Sequence, residues 1–127
     1  MSYCFSKIVD CSFDEAIALA TEKLSAEGFG VLTTIDVSAT LKTKLDVDMP
    51  RYTILGACNP GYAHKALMAE DKIGTMLPCN VIVQEGSNGV EVSTVDPLAS
   101  MQAIKNPDLG EIAKEVQAKL KKVIESL

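Results

Sequence analysis

The chain has no tryptophan, three Phe, three Tyr, one histidine (His64) and one arginine (Arg51) among its 127 residues. Apolar residues make up 47% of it, so with so few rings the core must be small and aliphatic. No run approaches the roughly 18 apolar residues that a membrane-crossing helix needs. No basic segment followed by an apolar one opens the sequence, so no secretory leader is expected. Basic charge is also scarce: 12 Lys and Arg stand against 17 Asp and Glu, a net charge of −5. A nucleic-acid binder needs a basic face to neutralise phosphates, and none can be assembled here. The four cysteines, Cys4, Cys11, Cys58 and Cys79, include no C-x-x-C pair. A zinc knuckle or thioredoxin-type motif is therefore absent. Without a leader the expected compartment is the cytoplasm, where thiols stay reduced. Phosphate-binding loops, the dinucleotide fingerprint and the G-x-S-x-G elbow are missing as well.

What is present reads as one α+β domain spanning 1–127. Tyr3 to Val9 reads as a first strand. Ser12 and Glu15 form a capping box, and Phe13, Ala16, Ile17, Ala20 and Leu24 follow at helical spacing. Gly28 sits where a left-handed residue would end that helix. Phe29 to Val37 is the second strand, with Val31, Thr33 and Ile35 expected on one face. Ser38 is placed to cap a short helix carrying Leu41 and Leu45, closed by Pro50. Arg51 to Cys58 is apolar on both faces, which points to a central strand. Asn59-Pro60 is an N-cap with proline at the first helical position. A loop over Asp71–Pro78 leads to a fourth strand, Cys79 to Glu85. The Gly86–Gly89 turn then leads to a fifth, Val90 to Val95. Asp96-Pro97 starts a short helix through Met101 and Ile104. Asn106-Pro107 starts a long one with an unbroken apolar stripe from Leu109 to Leu127. The order β-α-β-(α)-β-α-β-β-α-α predicts a largely antiparallel five-stranded sheet with helices on one face.

The local chemistry centres on two Cys-Asn steps, Cys58-Asn59 at a strand end and Cys79-Asn80 at a strand start. Each puts a soft nucleophile beside an amide that donates and accepts. Cys is also among the most buried residue types, so the same thiols can simply fill small core space. If the two strands are antiparallel neighbours, the thiols lie close. His64 follows Cys58 by six residues and could activate it, or be an exposed helix residue. Cys58, His64, Met76 and Cys79 would suit Cu(I) or zinc if they converged, although their spacing matches no standard site. Asp96 is a ligand candidate that also reads as a helix cap. Asp36 is a strand-end carboxylate without an assigned partner. Arg51 could hold an anion or simply be solvated.

Four stretches, Gly28-Phe29-Gly30-Val31-Leu32-Thr33, Ile54-Leu55-Gly56-Ala57-Cys58-Asn59-Pro60, Leu77-Pro78-Cys79-Asn80-Val81-Ile82-Val83 and Val95-Asp96-Pro97, resemble the DUF302 family in order and nearly end to end. The resemblance implies a TBP-like α+β domain, often a homodimer, with a signature on Cys58, Asn59, Pro60, Cys79, Asn80, Asp96 and Pro97. It implies no reaction and no cofactor. Gly61 and Gly74-Thr75-Met76-Leu77 depart from the family pattern beside the candidate site. Two functions follow as expectations. One is a non-catalytic dimeric module that binds a small ligand or a protein. The other is a thiol-based redox or soft-metal-handling protein using Cys58 and Cys79.

Overall fold

In the computed structural model, which describes residues 2–127, strand β1 (Cys4–Val9) leads through Ser12 into helix α1 (Phe13–Ala26). The capping box forms: Ser12 Oγ accepts from the Glu15 amide at 3.2 Å, and Glu15 Oε1 accepts from the Ser12 amide at 3.1 Å. Phe13, Ala16, Ala20 and Leu24 are buried, as a helical stripe requires. Gly28 takes φ +87°, the Phe29 amide donates to Leu24 O and the Gly28 amide donates to Ser25 O. These two bonds are a Schellman ending, which turns the chain from helix to strand within two residues.

Strand β2 (Gly30–Asp36), helix α2 (Val37–Leu45) and strand β3 (Tyr52–Cys58) follow. After helix α3 (Pro60–Ala69) come strand β4 (Cys79–Gly86), strand β5 (Gly89–Val95), helix α4 (Pro97–Ser100) and helix α5 (Pro107–Glu125). All five strands join one antiparallel sheet in the order β1-β5-β4-β3-β2. The fold is therefore α+β with an open sheet. Helices α1 and α5 bury one face of it against Leu55, Ala57, Val81, Val83 and Val92. The α5 stripe runs as expected, with Leu109, Ala113, Val116, Leu120, Val123 and Ile124 buried. Each large aliphatic in such a core is worth about 2–5 kcal/mol against truncation to alanine.

The other sheet face carries the apolar residues that the two-sided pattern of β3 had announced. Ladder register aligns Ile35, Ile54 and Ile82 in one row across β2, β3 and β4. Ser93 and Ser6 continue that row, with their hydroxyls 2.7 Å apart. Ile35 is 48% exposed and Ile8 is 47% exposed. Between these edges Ile54 and Ile82 are half-buried and Gly56 and Ser93 are buried, so the second apolar face of β3 lies in the partly covered middle of an open sheet surface.

Several local expectations need correction. Val31, Thr33 and Ile35 do not share a face, because the β2–β3 register shifts between Val31 and Thr33. That bulge leaves Leu32 unpaired, so Val31 stands with Ala57 while Thr33 and Ile35 turn to the other side. Asp36, not Ser38, caps α2: its carboxylate accepts from the Ala39 amide and from Ser38 Oγ, both at 2.9 Å. Those two donors, the amide first, hold its pKa below the ordinary value. Residues 71–78 are not an open loop; Asp71–Met76 form a 3-10 helix that sinks Ile73 beside Ala66 and Leu109. Helix α4 stops at Ser100, short of Met101 and Ile104. Arg51 is neither free nor solvated alone. It pairs with Asp14 at 2.9 Å and lies over the Phe13 ring, 4.2 Å from its centroid.

Candidate functional site

Antiparallel pairing of β3 with β4 answers the question the two Cys-Asn steps posed. Ala57 stands opposite Cys79 and Gly56 opposite Asn80, so Cys58 and Cys79 come to the same end of the sheet. Both line a half-open cavity of about 310 Å³. Helix α3 contributes Tyr62, Ala63 and Ala66, and helix α5 contributes Ile112, Ala113 and Val116. The sheet supplies Ala57 and Cys79 from its core face and Thr33 from the opposite face, and the β2 bulge adds Leu32. The cavity therefore wraps the strand ends and takes wall from both sides of the pleat. Leu77, Pro78, Pro97 and Met101 complete its wall.

Room for the cavity comes from small residues. Ala57, Ala63, Ala66 and Ala113 leave the space that larger side chains would fill. Gly56 has a related part. A Cβ there would collide with Thr33 Oγ1 and lie 2.9 Å from Pro78 Cγ, so only glycine lets those two residues close over β3. The Leu77–Pro78 peptide is cis.

No Asp, Glu, Lys, Arg or His is among the lining residues. Cys79 is buried, and that burial, with Cys58 adding to it, pushes its thiol up to about 11. Cys79 is therefore neutral at pH 7. Cys58 is half-buried. Both cysteines are free thiols, as are Cys4 and Cys11.

The other sequence candidates are distributed around this cavity in different ways. Asn59 lines it, but its side chain does not cap α3; Nδ2 donates to Glu27 O at 3.3 Å and ties α3 to the end of α1. His64 is exposed and outside the wall, which separates it from the cysteines. Met76 and Asn80 line a neighbouring cleft of about 250 Å³, which shares Leu77, Pro78, Cys79, Pro97 and Met101 with the main cavity. The set Cys58, His64, Met76 and Cys79 therefore does not converge on one wall. Among the described residues, no three of His, Cys, Asp and Glu gather as a metal site would require. Asp96 acts as a helix cap, accepting from the Leu98 amide and from Gln117 Nε2, each at 3.0 Å. Pro97, the next residue, is a cavity wall, so Asp96 positions the wall. The alanines, Phe29, Tyr62 and Met101 were not expected as site residues, because they carry no chemistry that a motif would flag. Their one signal was small residues at Ala63 and Ala66 on α3 and at Ala113 on α5.

The model of the domain of unknown function DUF302 matches residues 5–127, and the chain belongs to that family. A solved structure, the crystal structure of an uncharacterized conserved DUF302 protein from Bacillus stearothermophilus, is 27% identical. The likeness covers 98% of each chain with a TM-score of 0.92. No curated protein matches.

Proposed function

We propose that this protein is a binding module that holds a small molecule in the cavity between α3, α5 and the ends of β3 and β4. The observation that carries the reading is the cavity itself: about 310 Å³, apolar, and built where strand ends meet two helices. Around it the groups able to do acid–base work are engaged or turned away. Asp96 holds Leu98 and Gln117, and His64 faces solvent. Asn59 supplies a polar edge at the wall for orienting a ligand. Native mass spectrometry of protein purified without added ligand tests this. A co-purified organic mass, lost on denaturation, is the expected result. An empty protein that takes up no small apolar probe would end the reading.

The module works as a homodimer in this reading, and the partner is a second copy of the chain. The row runs from three isoleucines, Ile35, Ile54 and Ile82, to two serines bonded to each other, Ser93 and Ser6, and carries no charge. Such a strip can pack on its own copy about a two-fold axis, sheet on sheet. Sedimentation showing only a 13.6 kDa species would remove it. Four free thiols favour a reducing compartment, the cytoplasm. No described helix is long and apolar enough to cross a membrane.

The second reading, thiol chemistry, keeps one supporting observation: Cys58 and Cys79 share a cavity wall. Against it stands the high pKa of Cys79, since a nucleophilic thiol must ionise. Thiol alkylation rates separate the two readings.

A further inference from the structure

We infer that the cavity takes a neutral, compact, apolar molecule of about two fused rings or the equivalent aliphatic bulk, and that Ala63 and Ala113 set its size. This rests on the binding reading above and narrows its ligand.

Size follows from volume. An engineered apolar cavity of roughly 150 Å³ holds one benzene, and this one, at about 310 Å³, is about twice that. Neutrality follows from the wall. An ionised group turned into the cavity, away from its open side, needs an opposite charge or several donors, and no lining side chain is charged. No lining side chain is a carboxylate, and burial keeps the Cys79 thiol protonated at pH 7, so the wall is as poor a partner for a cation. The protein as a whole carries −5, which further disfavours anionic ligands. Lys65 is exposed, with its ammonium 5.6 Å from the centroid of the Tyr62 ring, and it is not part of the wall.

Ala63 and Ala113 set the limit because they face the space from two different helices. Ala63 is half-buried on α3, and Ala113 is buried on α5. Leucine at 63 costs α3 little in helix propensity and directs its added carbons toward the cavity.

Fluorescence titration with naphthol and naphthoate tests the inference on the whole chain at pH 7. Naphthol should bind, and naphthoate at least about tenfold more weakly, because its carboxylate finds no partner. Ala63→Leu should weaken naphthol by about tenfold or more, since the wall is close-packed and the added carbons take ligand space. Ala113→Val is the second, milder variant, used if circular dichroism shows that Ala63→Leu does not fold; it should weaken naphthol measurably. If naphthoate binds as tightly as naphthol, Lys65 or another cation reads the carboxylate and the neutral-ligand inference is wrong. If folded variants bind naphthol as the unaltered protein does, the size assignment is wrong. Failure of both probes to bind overturns the small-molecule reading itself, a different result from either of these.

Discussion

Thr33 lies against Gly56 so closely that its hydroxyl occupies the place where a side chain on residue 56 would begin. The contact joins three features. The bulge in β2 turns Thr33 to that side, the absence of a Cβ admits it, and Pro78 packs over the same spot. One end of the cavity wall is built on that arrangement, through Thr33 and Pro78.

Gly56→Ala should therefore destabilise the fold by about 1–3 kcal/mol through overpacking. Thr33→Ala in the same chain should recover part of the loss by removing the clashing hydroxyl. Urea unfolding of both single variants and the double variant measures the coupling. Simple additivity would mean that the two residues do not press on each other.

The thiols should differ in reactivity. Cys79 is buried and its pKa is pushed up to about 11, so iodoacetamide at pH 8 should label it far more slowly than half-buried Cys58. Mass mapping of the alkylated protein over time gives both rates. Equal rates would contradict the burial of Cys79.

The same thiol links stability to pH. Its folded pKa of about 11 exceeds the ordinary 9.0, so the folded state holds the proton more tightly than the unfolded one. Its contribution is complete below about pH 9 and is lost as the pH rises toward 11. Melting curves at pH 8 and pH 10.5 should separate more for the native sequence than for Cys79→Ala. A slope unchanged by that substitution would remove Cys79 as its source.

Asp96→Ala should cost about 1–2 kcal/mol, because it removes the cap on α4 and leaves Gln117 without its acceptor. The same change should weaken naphthol binding, since Pro97 forms part of the cavity wall. Thermal melting and the naphthol titration report the two effects separately. Loss of stability with binding untouched would assign Asp96 to the fold alone.

Ile82→Lys should leave the monomer folded, because Ile82 is only half-buried, on the sheet face away from α1 and α5, and makes no part of the core beneath those helices. It should abolish self-association by placing a charge in the middle of the apolar row. Sedimentation at matched concentrations reads the outcome. A dimer that survives the charge uses another surface.

The strands, the long helix and the α1 capping box were legible in the sequence because each rests on periodicity or on a local pair of residues. Register was not. Nothing in Val31-Leu32-Thr33 signals that Leu32 will drop out of the ladder; the space Thr33 then enters is left by Gly56, on the neighbouring strand. Capping misled for a similar reason. Asp36 and Ser38 are both competent caps, and the chain uses the carboxylate, with the serine bonded to it. Asn59 was read as a cap because it precedes proline, yet a distant carbonyl, Glu27 O, takes its amide. The two Cys-Asn steps do come to one end of the sheet, where both cysteines line the cavity. The cavity itself is made of alanines from separate elements, and only three-dimensional placement turns them into a volume.

Sheet order has a consequence for how the chain is made. The pairing of β3 with β4 and that of β4 with β5 join segments close in sequence, whereas β1 pairs only with β5, Cys4 opposite Val95. During synthesis β1 therefore emerges first and waits longest for its partner. Ribosomes add about 5–20 residues per second, so several seconds pass before residue 95 leaves the exit tunnel. Through that interval the first strand must stay out of non-native pairings, and the Lys7 and Asp10 charges beside its apolar residues suit that wait.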